Sequence, residues 1–383
     1  MSVKLLLLPG DGVGPECAAA TAYILKTATG LFALDIEADS VAIGSVALEE
    51  SGDPLPEATL EALKVSDIAV VGPLADAGAS REALASDTAA RLIKDVDLYA
   101  RLAMVRPWAG FATSTPDLDI LIVSPAREGA DPRRNMTVGS GSMLATEDVG
   151  LDMAVASRGE TRRLAEAGVA LALGRPGPVR VVEQTTVFPM SEGLFAAEVM
   201  AVLTASGVDH QALPFNAVPQ ALAGPGGQGA TWIVSGVSGS ALTTLVGGVS
   251  GSAAMTAELA INDRQAVSLV SGGPRGDIAG RGVSDPVPFI LSVARCLDWA
   301  GQMRGEQSLI DAAIAIEVGA EAALAQPENR SADLGGSATT AQIAKAVAAA
   351  MITAVRQQAD AETDAESVSN EDTAGSDASG TGP

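Results

Sequence analysis

A chain of 383 residues with 47 acidic and 24 basic side chains, net charge −23, has no basic surface to hold a phosphate backbone. Nucleic acid is therefore excluded as a partner, and an anionic membrane repels the chain. Hydrophobic residues make up 47% and aromatics only 3%, which predicts a large core built from Ala, Val, Leu and Ile.

Taken in order, Leu5–Leu8 reads as a buried strand, too short an apolar run for a signal peptide, and a cytoplasmic location is expected. Pro9-Gly10-Asp11-Gly12-Val13-Gly14-Pro15-Glu16 follows. Pro15 and Glu16 suit a helix N-terminus and Gly30 its end. A strand near Leu34–Ile43, a turn at Gly52-Asp53-Pro54-Leu55-Pro56, a helix over Glu57–Lys64, a strand at Asp67–Gly72 and a helix at Ser80–Lys94 come next. Strands alternating with helices imply an α/β fold with a largely parallel sheet. Further on, Asp119–Val123, Gly150–Ala156 and Val179–Glu183 read as strands, and Glu160–Leu173 and Glu192–Thr204 as helices. Ala266–Val270 leads into a glycine-rich loop, Ser271 to Gly282. Helices at Val287–Met303, Ser308–Ala325 and Thr339–Arg356 close the fold, and an acidic tail at 357–383 is expected to be disordered. Cys17 and Cys296 fall in helical patterns and read as small core residues, with neither a disulfide framework nor a metal motif.

Gln211–Ala257 contains no Asp, Glu, Lys or Arg, where composition would place about nine. Thr231–Val234 reads as a buried strand within it, followed by a helix near Ser240–Leu259. Gly, Ser and Thr interrupt the apolar residues, so a buried helix is expected rather than a membrane span. A stretch without charge supplies no carboxylate to a metal and no lysine to a substrate. His210, the one histidine, precedes it and reads as a surface or structural residue.

Five motifs, in order, resemble those of the isopropylmalate and isocitrate dehydrogenases: Leu5–Glu16, Gly52–Pro56, Asp97-Leu98-Tyr99 with Arg106-Pro107, Asp277–Gly282, and Asp333-Leu334-Gly335-Gly336 with Thr339-Thr340. The resemblance runs to about Arg356. It implies a two-domain α/β dimer whose first domain is discontinuous, 1–107 with 252–356, and whose second is 108–251. It also implies oxidation of a 2-hydroxy acid by NAD or NADP, with loss of a carboxylate and a divalent metal holding the substrate.

The same resemblance marks where the chain departs. The family's metal aspartates fall at Ser240 and Thr244, a third, from the partner subunit, at Asn216, and the working lysine at Gln184. No lysine lies between Lys94 and Lys345. Of the three substrate arginines, the first falls at Ile93 and the third at Ser124, while Arg106 stands for the middle one; Arg101 and Arg127 lie nearby. Neutral oxygens are poor substitutes for carboxylates around a hard dication, so no metal site and no catalytic set are expected. Gly272 and Asp277 match the cofactor loop, where NAD is the implied ligand.

The reading that follows is a divergent homologue without metal-dependent oxidative decarboxylation, acting as a non-catalytic, regulatory or structural subunit, paired with itself or with an active relative. The alternative is an NAD-dependent oxidoreductase acting on a 2-hydroxy acid by altered chemistry.

Overall fold

The computed structural model describes residues 2–75, 87–113, 115–131, 141–224, 227–251 and 255–376. One ten-stranded mixed sheet organises them. Its strands are β1 (Val3–Leu8), β2 (Ile36–Ser40), β3 (Ile68–Val71), β4 (Ala100–Val105), β5 (Ile120–Pro125), β8 (Val179–Glu183), β9 (His210–Pro214), β10 (Ala230–Val234), β11 (Glu258–Ile261) and β12 (Ala266–Leu269), in the order β2-β1-β3-β12-β11-β4-β5-β10-β8-β9. A separate antiparallel pair is formed by β6 (Ser142–Thr146) and β7 (Val149–Asp152). The strand expected at Gly150–Ala156 is thus one arm of a hairpin.

The inner strands β1, β3, β5 and β10 pair in parallel within each half and are apolar on both faces, the pattern of a sheet covered on both sides. The halves meet through β11 and β4, which run antiparallel to each other and to their outer neighbours.

The helices are α1 (Gly14–Phe32), α2 (Ser45–Ser51), α3 (Glu57–Val65), α4 (Thr88–Asp95), α5 (Arg158–Ala172), α6 (Ser191–Ala205), α7 (Val218–Ala223), α8 (Gly239–Val249), α9 (Val287–Arg304), α10 (Gln307–Ala325) and α11 (Thr340–Ser376). The Asp87 carboxylate caps α4 by accepting from the Ala90 N–H at 2.7 Å. The part of the expected Ser80–Lys94 helix within 76–86 lies outside the described residues. Gly30 sits inside α1, which runs on until Ala33 turns left-handed (φ 50).

Two expectations change. The helix expected at Ser240–Leu259 ends at Val249. Gly251 then takes φ 72 with the Ala112 carbonyl so near that an added Cβ would lie 2.1 Å away, and the chain re-enters the sheet as β11. At the other end α11 continues to Ser376, through Ala, Glu and Gln residues of good helix propensity, into the stretch expected to be a disordered tail. Residues 377–383 lie outside the described residues.

On one face of the sheet a single core runs through both halves, with α1, α9, α10 and α11 over β1 and β3, and α5 and α6 over β5, β8 and β10. The other face carries two separate clusters. Leu60, Leu63, Leu92 and Ile93 from α3 and α4 pack against Leu6, Leu8 and Val71. Val218, Leu222, Leu242 and Val246 from α7 and α8 pack against Ile122, Val182 and Trp232. No described helix is long and apolar enough to cross a membrane.

Candidate functional site

Polar side chains collect where the core of the second face is divided. Strand pairing sets Arg101 of β4 between Ala260 of β11 and Ser124 of β5, and Glu258 opposite Ala103. Directly paired residues share a face, so these side chains stand together. Helix α8 lies against this row because Gly239 has no side chain: a Cβ there would be 2.8 Å from the Ser124 Cβ. The close approach brings Ser240 to the guanidinium. Arg101 Nη1 donates to Ser240 Oγ at 2.9 Å, and Nη2 forms a charged hydrogen bond with Glu258. The pair is largely shielded, with side-chain exposures of 18% and 17%.

Thr244, one turn along α8, is exposed, and its hydroxyl donates to the Ser240 carbonyl at 3.0 Å. Gln184 stands at the end of β8, and its Nε2 donates to Ser238 Oγ at 2.7 Å. The Gln184 backbone N–H donates to Glu192 Oε2 at 2.8 Å, and burial raises the Glu192 carboxyl above its usual range. Ile93, on α4, is fully buried against α3 and the sheet, so the place of the first substrate arginine is packing. Asn216 is exposed in a short 3-10 turn after β9.

Arg106 follows the far end of β4, about 16 Å along the strand from Arg101. Its Nη1 donates to Glu321 at 2.8 Å, Nη2 lies 3.8 Å from Glu317, and the guanidinium sits 5.3 Å from the centre of the Trp108 ring. The structure thus ties Arg106 to α10 and puts Arg101 beside Ser240. Arg127 pairs with Asp97 and Glu160.

The group does not fit a divalent ion. Around Ser240 the donors are neutral hydroxyls and the one carboxylate of Glu258, which a guanidinium already engages. Hard dications need several oxygens, usually with carboxylates among them, and a fixed cation at contact distance repels them. No three acidic, histidine or cysteine side chains among the described residues come together as a metal-binding group.

The glycine-rich loop lies elsewhere, at the ends of β1, β3 and β12. The Asp11 carboxylate is buried and accepts from the Ser45 and Ala75 N–H groups at 2.6 and 2.7 Å, while the Val13 N–H donates to the Pro274 carbonyl at 2.8 Å. The first motif therefore braces the loop. A cavity of about 190 Å³ opens beside it, lined by Val13, Cys17, Gly272, Arg275, Asp285 and Asp333. Gly272 is in the left-handed region (φ 106), with open space where a Cβ would be. Asp277 is 65% exposed, pairs with Arg275 Nε at 3.3 Å and does not line the cavity; that pairing lowers its carboxyl pKa. Asp285 does line it: burial pushes its carboxyl up to about 7 against the pull of the Val287 N–H, and Asp333 adds to the rise. Cys17 is pushed up to about 12 by burial, so it is an inert thiol. The volume is below the roughly 300–1,000 Å³ of small-molecule sites.

Glu258 and the role of Arg101 were not legible in the sequence as a site. A signal did exist: Glu258 is the first charge after the charge-free stretch.

The model of the isocitrate/isopropylmalate dehydrogenase family matches residues 4–347. A 3-isopropylmalate dehydrogenase of Sulfurisphaera tokodaii is 26% identical over 340 residues, 89% of this chain and 96% of the relative. One from Shouchella clausii is 30% identical, covering 85% and 90%. An isocitrate/homoisocitrate dehydrogenase of Thermus thermophilus is 29% identical, covering 92% and 99%. The crystal structure of isocitrate dehydrogenase from Methylococcus capsulatus shares the fold, with TM-score 0.77 over 91% of this chain and 99% of that one at 22% identity. With its motifs, its mixed ten-stranded sheet and a match along nearly its whole length, the chain belongs to the isocitrate/isopropylmalate dehydrogenase family.

Proposed function

We infer that this chain is a member of its family that does not carry out metal-dependent oxidative decarboxylation and serves as a non-catalytic subunit, regulatory or structural, paired with itself or with an active relative. The observation that carries this is the Arg101 contact with Ser240 and Glu258 at the place of the metal aspartates. Without a metal, the cation at that place is the Arg101 guanidinium, which Glu258 already engages, so it is not free to offset the charge that builds on a substrate oxygen after carboxylate loss. Gln184, at the lysine place, has no titratable proton to move, and loss of a general acid–base typically costs about 10²–10⁴-fold by itself. NAD is the cofactor class read for the glycine-rich loop, from Gly272 and Asp277; that Gly272 lines the cavity beside the loop supports its half of this reading, whereas Asp277 lies outside the cavity.

Steady-state assays with NAD or NADP, Mn²⁺, and isopropylmalate or isocitrate test the reading. The expected outcome is no turnover above a Gln184→Ala control. Turnover in the usual enzyme range of about 1–10³ s⁻¹ would overturn it.

A further inference from the structure

We propose that the guanidinium of Arg101 is a built-in substitute for the divalent ion: a permanent cation, covalently part of the chain, that stands at the family's aspartate place on α8 and ties that helix to β4 and β11. The proposal rests on Ser240 and Thr244 standing at the family's aspartate places.

Three observations converge on it. Arg101 is the cation that touches Ser240, at 2.9 Å, and it is held from the other side by Glu258. Glu258 enters from β11, so the guanidinium links three elements far apart in sequence: β4, α8 and β11. The group is also bordered by neutral residues. Ser124 and Ala260 flank Arg101 on the neighbouring strands, and Ala103 lies opposite Glu258, so guanidinium and carboxylate balance one another. An arginine suits this place better than a lysine. Its planar fork reaches a carboxylate and a hydroxyl at once, and it stays charged at any working pH.

The exchange explains why the missing aspartates do not leave a hole. Ser240 accepts from Arg101, Thr244 donates to the Ser240 carbonyl, and neither places an uncompensated charge there. An aspartate at 240 would add a second carboxylate to the guanidinium that Glu258 already holds, and the guanidinium would be its counter-ion. A dication would then have to displace a fixed charge at contact distance.

The test is thermal unfolding of the full chain with and without 1 mM Mn²⁺. Ser240 is exposed, so Ser240→Asp is accommodated by the fold. With Arg101 present, Ser240→Asp is expected to melt at or above the wild-type temperature at low salt, to lose any gain at high salt, and to show no shift with Mn²⁺. Arg101→Ala combined with Ser240→Asp leaves two carboxylates facing one another, and Mn²⁺ is expected to raise its melting temperature by about 2 °C or more. A Mn²⁺ shift in Ser240→Asp alone equal to that of the double variant would overturn the proposal, because the guanidinium would not be holding the place. So would a double variant that folds and shows no Mn²⁺ shift. If the double variant does not fold, Ser240→Asp still decides: a melting temperature below wild type that Mn²⁺ restores sinks the idea, and metal-indifferent melting with a salt-sensitive gain supports it. The readout is independent of turnover. Metal-free catalysis by the wild type would defeat the non-catalytic reading and leave this one standing.

Discussion

At the scale of single residues, the arginines of the described core find carboxylates, while Asp285 is buried at a cost. Arg101, Arg106 and Arg127 all find carboxylates, and Arg163 lies between Asp97 and Asp263 with its guanidinium 3.9 Å from the centre of the Tyr99 ring. Asp285 finds a single backbone N–H, and its neighbour in the cavity is a second acid, Asp333. Its folded pKa of about 7 lies above the unfolded value of about 4. The folded state therefore binds the proton more tightly than the unfolded state between those limits. Below about pH 4 the group costs nothing differential; its penalty grows between about pH 4 and about 7 and is complete above that. Asp285→Asn keeps the acceptor for the Val287 N–H and removes the charge. It is expected to stabilise the protein at pH 8, on the order of 1–3 kcal/mol, and to have little effect at pH 4. Chemical denaturation at the two pH values reads this directly. An equal gain at both would show that something other than ionisation limits stability there.

At the scale of elements, α8 is positioned by the absence of a side chain. Gly239→Ala would put a methyl 2.8 Å from the Ser124 Cβ and 2.9 Å from its Oγ, so helix and strand must separate. A loss of about 1–3 kcal/mol is expected from that overpacking, measurable by urea unfolding. Ser124→Gly, which vacates the opposing atoms, should recover part of the loss in the double variant; no recovery would mean that the two sites do not touch. Which elements were readable in the sequence follows from the same packing. Leu5–Leu8 announces itself because both faces of a central parallel strand are apolar. Strand β4, Ala-Arg-Leu-Ala-Met-Val, does not, since Arg101 breaks the run at the point where the site is built. Strand β11 was hidden in the tail of an expected helix, because small residues continue past Val249 and only the backbone at Gly251 ends it. In the site itself, Ser240, Thr244 and Gln184 were legible from motif spacing. The Arg101–Glu258 contact was not, because its partners are separated by 157 positions and only the β4–β11 register joins them.

At the scale of the whole molecule, the charge-free stretch divides into an inner and an outer half. Strand β10 is wholly buried, with Trp232 fully enclosed, and Leu242, Thr243, Val246 and Gly247 of α8 face the core. The other side of α8 shows Ser240, Ala241, Thr244, Leu245 and Gly248 to the surroundings, all of them uncharged. Nearby in the fold, the segment after β8 exposes Val187 at 62% and Met190 at 82%. In a protein of net charge −23, an outer helix face without one charged residue is the composition of a permanent interface, which resembles a core cut in half. The chain is accordingly expected to exist as a dimer, with a second copy or an active relative, and α8 to supply part of the contact. Gly248 separates this expectation from burial within one subunit. It is exposed, and nothing lies within 4 Å of the place a Cβ would take, so Gly248→Arg leaves a lone subunit intact. Gly251 offers no such test, because its left-handed backbone and the Ala112 carbonyl make any side chain there disruptive by itself. Sedimentation at micromolar concentration is expected to show a wild-type dimer. For Gly248→Arg it is expected to show monomer or aggregate, with the helical circular-dichroism signal retained in the soluble fraction. A wild type that sediments as a stable monomer, alone and when mixed with an active relative, removes the interface. A Gly248→Arg variant as dimeric as wild type removes α8 from the interface.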